Sequence, residues 1–472
     1  MQRGYSYFMI VLRSYLRHYR PLLVVCIPVW LCLLCGKSAW AATYYISPMG
    51  NDQQNGAARE SAWATFVHAW TVIQPGDTLI VLDGIYNQGI EPQVSGTADA
   101  PITVRADRDG QVMIDGQDQR IPVYLYRDYY IIEGIVARNG NHTVYFISGS
   151  NNILRRVSGY DADLDVNSDV FAIYDSHNNL IEDCLAAGTG RKMVMIYWGS
   201  HNTIRRCFAD WRQWDGRQWC DDWPWGDNLQ IYNSDDNIIE NSIGYGSVAV
   251  WSLAIQANKP DLSASGNQIL GSIAIDAGMN HDGTVKSWPT TRPGPTDCTQ
   301  LRSFDWPGQR AGVALYGNGR IADNTLRDLF VYGSAGLGLT AMLDGSTYSN
   351  NQVDHVTLFR NGLDNRTHWG GIGAELRPEE MGSWASFTNN WVEGFDESGE
   401  GARLTNRYVN GQLTNQPLWP WPMEDRAQAE LGLSPTNLVT GLLEQWQSST
   451  IAVQDFLRDG RLLPAFRSIC EP

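Results

Sequence analysis

Lysine is almost missing from this chain: four occur in 472 residues, and beyond residue 41 only Lys192, Lys259 and Lys286 remain. Charged residues make up 18% of the total, with 51 acidic against 35 basic, for a formal net charge of −16. A chain so poor in cations is a bad counterion for phosphate polymers or anionic bilayers, which excludes nucleic acid and acidic membrane surfaces as partners. No C-x-x-C pair and no Cys/His spacing of the zinc type occurs, so structural zinc is not expected. Long apolar runs are also lacking. The stretch from Pro21 to Cys35 falls short of the roughly 20 residues that cross a bilayer.

That stretch follows Arg3, Arg13, Arg17 and Arg20 and precedes Ala39-Trp40-Ala41, an A-x-A-like cleavage site. Residues 1–41 are therefore expected to be an export signal, and the mature protein to be secreted or periplasmic and free of the membrane. Cleavage removes four Arg and Lys37 and no acidic residue, so the charge becomes 30 − 51 = −21. Five cysteines stay behind: Cys184, Cys207, Cys220, Cys298 and Cys470.

What the chain has in plenty is glycine, 46 residues, and a phrase used four times. Phe146 to Asn152, Ile173 to Asn179, Ile196 to Asn202 and Ile231 to Asn237 each run from an apolar strand through a small polar turn to Asn, then on to apolar residues and a charge. The Asn positions are 27, 23 and 35 residues apart. A constant phrase with elastic connections suits stacked coils, each showing one face to its neighbours while loops vary. The segments are too short and too rich in Ile, Tyr and Val for helical repeats. Around the coils, Ala62 to Ile73 carries apolar residues at helical spacing and then Pro75-Gly76-Asp77 turns into a strand from Thr78 to Leu82. This organisation gives a signal at 1–41, an N-terminal cap and first coils at 42–116, coils at 117–411, and a C-terminal tail at 412–472 with helical spacing. Cap helix and tail would each protect an open end of the stack. A monomer is expected.

Tyr44-Tyr45-Ile46-Ser47-Pro48 with Gly50-Asn51-Asp52, Trp63-Ala64-Thr65, Pro75-Gly76-Asp77-Thr78, Gly84-Ile85-Tyr86 and Ala100-Pro101-Ile102-Thr103-Val104 resembles the opening of secreted right-handed parallel β-helix proteins. That superfamily includes pectate lyases, chondroitinase-B-like and alginate lyases, and carbohydrate epimerases. The resemblance covers roughly 43–373 and implies an all-β solenoid. It carries over no complete lyase signature, so activity has to be argued from the site. Asn152, Asn179, Asn202 and Asn237, continued by Asn267, look like the asparagine ladder of such helices. His177 and His201 share that turn and are expected to be solvated. Cys184 and Cys207 follow ladder asparagines at equal offset, and a buried thiol ladder is expected rather than a disulfide.

Counting four residues back from each opening apolar position gives His142, Asp169, Lys192 and Asp227. A lone ammonium between carboxylates at one-strand steps is a salt-bridge ladder or a prepared site. The resemblance implies a lyase role, in which Lys192 takes the proton beside a uronate carboxylate and Arg191 neutralises that carboxylate. The flanking carboxylates argue the other way, since they raise the pKa of an ammonium.

Asp161, Asp163, Asp165, Asn167 and Asp169 would share one face of an extended segment, a set of hard oxygens suited to Ca²⁺; a solvated acidic loop is the alternative. Trp211, Trp214, Trp219, Trp223 and Trp225, interleaved with Arg217, offer indole faces for sugar rings or, equally, anchors that fasten a loop. The function expected is that of a carbohydrate-active protein that binds a polysaccharide or cell-surface glycan and cleaves it by β-elimination or hydrolysis. The competing class is a non-catalytic glycan-binding surface or matrix protein.

Overall fold

The computed structural model describes residues 41–163, 166–211, 226–248, 251–279, 310–327, 329–343, 347–354, 356–359, 361, 386–388 and 391–393. Chain contacts separate Met1–Ala42 from Thr43–Pro472, and all the coils belong to the second unit. The expected tail and the Trp-rich insertion after Trp211 lie outside the described residues.

Among the described residues the repeated phrase builds three long sheets of twelve, eleven and eight strands, with every strand-to-strand pairing parallel. Each coil contributes one strand to each sheet in turn, so neighbours in space are one coil apart in sequence. The chain is a right-handed parallel β-helix.

Apolar residues at one position stack into a column through the interior. Leu154, Ile181, Ile204, Ile239, Ile269, Leu326 and Val353 are consecutive register partners. All seven are 0% exposed. At roughly 1.5–3 kcal/mol for each such buried side chain, columns of this kind supply the drive that holds the coils together.

The asparagine ladder is present and longer than the sequence suggested. The Oδ1 atoms of Asn179, Asn202, Asn237, Asn267, Asn324 and Asn351 each accept the backbone N–H of the ladder asparagine one coil earlier, at 2.9–3.1 Å. The step from Asn267 to Asn324 spans 57 residues, and an insertion of that size hid the last two rungs from a search for even spacing. His177 and His201 are both exposed on this turn, as expected.

Two expectations need correction. Cys184 and Cys207 are joined as a disulfide, with their Cα atoms 4.5 Å apart, because stacked strands bring equivalent residues within bonding range. The helix near the N-terminus is also shorter than its apolar spacing suggested: it covers Phe66–Val72, with Thr65 capping it through a bond from the His68 N–H.

Candidate functional site

The eight-stranded sheet carries the candidate site, on the strands Asp169–Tyr174, Lys192–Tyr197 and Asp227–Tyr232. Asp169 is the register partner of Lys192, and Lys192 of Asp227, so the expected column stands. The side chains reach it through a slip in the strand alternation. Val170 and Phe171 both pack against Gly159 of the neighbouring sheet, where a Cβ would lie 2.6 Å from Val170 and 3.0 Å from Phe171. Two consecutive inward residues turn the one before them outward, onto the face that carries the half-buried Tyr174, Tyr197 and Tyr232. The Lys192 Nζ accordingly sits 5.7 Å from the centre of the Tyr232 ring.

His142 does not join the column. Phe171 and Ile173 pair with Tyr145 and Ile147, which puts Thr143 opposite Asp169. The first copy of the phrase has a turn one residue shorter than the others, so counting back from Phe146 overshoots by one. His142 is exposed, its Nδ1 2.9 Å from the Thr143 hydroxyl.

The three charged groups are almost wholly buried, at 4% exposure for Asp169, 5% for Lys192 and 0% for Asp227. They are poorly satisfied there. Lys192 Nζ lies 3.9 Å from Asp169 Oδ1, beyond hydrogen-bonding distance. Asp227 Oδ1 accepts the Trp251 N–H at 3.1 Å. Asp227 Oδ2, Asp169 Oδ1 and Gln230 Oε1 are buried with no hydrogen bond among the described residues.

Burial, rather than charge pairing, governs their ionisation. It lowers the Lys192 pKa despite the attraction of Asp169 and Asp227, with the Arg191 charge adding to the fall. The carboxylates do raise it, as expected, but the net shift is downward, because removing a charge from water outweighs a partner nearly 4 Å away. Burial likewise raises the Asp169 carboxyl, and it pushes Asp227 up to about 6 against the opposing pull of Lys192. All three groups drift toward their neutral forms. Arg191, whose backbone N–H donates to Ser168 O at 2.8 Å, is the fixed positive charge beside them.

The remaining sequence candidates separate. Trp211 cannot serve as a sugar platform: it is 1% exposed, and its Nε1 donates to Asp227 O at 3.0 Å, so it fastens the strand that carries Asp227. Trp214, Trp219, Trp223, Trp225 and Arg217 lie outside the described residues. In the acidic run, Asp161 has φ 56, a left-handed turn that ends the extended geometry on which a shared face depended. Asp161 lies beside the Thr189 hydroxyl, the Asp163 N–H donates to His142 O, and Asp169 faces Lys192. Asp165 is outside the described residues, and no three His, Cys, Asp or Glu among those described group to hold a metal.

With this geometry in place, comparison with known proteins adds the following. A family model described as Chondroitinase B matches residues 64–213, a span that includes Asp169, Arg191 and Lys192 and stops short of Asp227. An uncharacterized protein of Bacillus subtilis, YwoF, is 34% identical over 73 residues, a match that spans 16% of this chain and 15% of that one. Among solved structures, pectate lyase Pel9A is 16% identical with a TM-score of 0.41, covering 66% of this chain and 79% of that one. An alginate lyase from Paenibacillus is 13% identical with a TM-score of 0.43, covering 66% and 94% respectively. The lacto-N-biosidase of Eubacterium ramulus is 11% identical with a TM-score of 0.46, covering 75% and 68%.

Proposed function

We propose that this protein is an exported polysaccharide lyase that cleaves a uronate-containing glycan by β-elimination at Lys192. The observation that carries this reading is the burial of Lys192 in register between Asp169 and Asp227, which drives its amine toward the unprotonated form a base requires. The match of the Chondroitinase B model across Asp169, Arg191 and Lys192 supports the same substrate class.

In this mechanism the Lys192 amine takes the proton from the carbon beside the uronate carboxylate. The electron pair left behind forms the new double bond as the adjacent C–O bond breaks, and the departing oxygen takes a proton from the Asp227 carboxyl. Arg191 balances the charge that builds on the uronate carboxylate. Asp227 suits its part because Oδ1 is held by the Trp251 N–H while Oδ2 has no protein partner among the described residues.

The test is to incubate the mature protein with pectate, alginate, glycosaminoglycan and neutral glycans, with Ca²⁺ and with chelator. Unsaturated uronate products are expected, and Lys192→Ala should lower their rate by about 10²–10⁴-fold. New reducing ends without unsaturation would replace elimination by hydrolysis. Binding without products would make the protein a glycan-holding one, and cleavage unchanged in Lys192→Ala would remove the base from this position. Activity that survives in Ca²⁺ and vanishes in chelator would show that cleavage needs a metal.

A further inference from the structure

We propose that the cleft between the helix Phe66–Val72 and the first coils is a second glycan-binding site, joined to Lys192 by a continuous row of aromatic rings. It rests on the carbohydrate reading above and adds where the far end of a long sugar chain is held.

The open cleft has a volume of about 1040 Å³, just above the usual range for ligand pockets, and its lining includes Val67, Trp70, Glu91, Gln93, Arg120 and Tyr124. Its apolar wall is rigid. Trp70 is packed between Phe66, ring centres 6.1 Å apart, and Tyr130, met edge-on at 6.5 Å. Its polar side chains outnumber its apolar ones and carry both signs of charge. Arg120 Nη1 is anchored by the Asn87 carbonyl at 2.6 Å, while Glu91 and Gln93 are exposed in the loop opposite. An apolar wall with amide, carboxylate and guanidinium groups around it matches the two chemistries of a sugar, C–H faces and hydroxyls.

Tyr124 belongs both to this cleft and to the sheet that carries Lys192. From it the rings run Tyr124 to Phe146 at 5.4 Å, to Tyr174 at 5.6 Å, to Tyr197 at 5.2 Å and to Tyr232 at 4.9 Å. The Tyr232 ring is the one beneath Lys192 Nζ. Five strands in a row supply these rings, so the track is four strand spacings long, about 19 Å. All five are half-buried. An extended glycan lying along the solenoid axis would cover it with several sugar units.

Exposure points to the same track. Among the described residues four large apolar side chains are exposed: Met49, Val67, Ile85 and Trp198. Val67, 78% exposed, lines the cleft, and Trp198, 42% exposed, stacks on Tyr197 at 4.1 Å near the other end of the row. Apolar surface left uncovered at both ends of one aromatic track is what a chain-shaped ligand would bury.

The experiment measures binding, so it does not depend on the fate of the lyase reading. Full-length mature Lys192→Ala protein is titrated calorimetrically with size-graded oligomers of galacturonate, mannuronate, chondroitin and xylose. Affinity for at least one series is expected to rise with chain length until the oligomer spans the track. Adding Tyr124→Ala should then cost tenfold or more for long oligomers and nothing for short ones. The double variant Glu91→Ala, Gln93→Ala, confined to exposed side chains, should do the same without touching the packing. Equal binding of long oligomers by these variants and their parent overturns the proposal, as does absence of binding for every series. Cleavage abolished by Lys192→Ala together with length-independent binding would leave the lyase reading standing and the second site refuted.

Discussion

Two columns of alternating charge climb the same solenoid, and they are built to opposite standards. On the twelve-stranded sheet Glu133, Arg155, Glu182, Arg205 and Glu240 are successive register partners. Arg205 and Arg206 both reach Glu182 Oε2 at 2.7 Å, Arg206 also holds Asp183 at 2.6 Å, and the arginines stay 14–31% exposed. On the eight-stranded sheet Asp169, Lys192 and Asp227 alternate in the same register, yet they are nearly inaccessible, and the lysine stops 3.9 Å from its partner. Around Glu182 the pairing is short, multiple and wet, as a stabilising ladder's is, although the outer steps lengthen to 3.5 Å at Arg155–Glu133 and 3.9 Å at Arg205–Glu240. A buried column with orphaned oxygens costs stability where it stands, and such costs gather where chemistry is done.

The contrast predicts that removing one charge should have opposite signs in the two columns. Glu182→Ala leaves Arg155, Arg205 and Arg206 without their shared acceptor, and Glu182 is only 5% exposed. A loss of about 3 kcal/mol is expected in urea unfolding, at the lower edge of the range for broken buried pairs because the arginines keep some water. A change under about 0.5 kcal/mol would mean that the ladder is ornamental and the contrast empty.

Asp227→Asn should stabilise. The folded-state pKa of Asp227 is about 6, above its usual 3.8, so folding takes up a proton between those values. The stability linked to this group is full below pH 3.8 and is lost as pH rises through 6. Asparagine mimics the protonated form and keeps the acceptor for the Trp251 N–H. A gain of about 2–3 kcal/mol is expected above pH 6, from roughly 1.4 kcal/mol per pKa unit, with the wild-type downward slope between pH 4 and 6 flattened in the variant. A variant less stable than wild type at pH 7 would show that Asp227 is a stabilising partner like Glu182.

Much of this was legible from residue spacing, and apart from the slip at His142 and the late ladder rungs the failures at the site share one cause. Equal offsets from the ladder asparagines placed Asp169, Lys192 and Asp227 correctly, because their three coils keep turns of one length. The ladder charges lie three residues after Asn152, Asn179, Asn202 and Asn237 and alternate Arg, Glu, Arg, Glu, so they too were on view. What spacing cannot carry is direction and depth. The bend that turns Asp169 outward depends on Gly159, which sits on another sheet and outside the repeated phrase, and the lowered Lys192 pKa depends on how deeply the site is packed. Trp211 looked like one aromatic of five in a loop, and only its bond to Asp227 O separates it as an anchor.

His142 supplies the smallest and sharpest check on the register. Counted from the sequence it is the fourth member of the charged column; in the fold its place is taken by Thr143, which is fully buried while His142 is exposed. Its backbone carbonyl accepts the Asp163 N–H, a bond that any residue can make, and its ring bonds the adjacent Thr143 hydroxyl. His142→Ala should therefore shift stability by less than about 0.5 kcal/mol, as exposed substitutions usually do, and leave the rate of glycan cleavage within about twofold. Thr143→Val, nearly the same shape without the hydroxyl, should cost about 1 kcal/mol or more at a site with no water to replace it. If instead His142→Ala lowered cleavage as far as Lys192→Ala while Thr143→Val did nothing, the one-residue slip in the first coil would be wrong, and the imidazole would return to the column as a fourth ionisable group above Asp169.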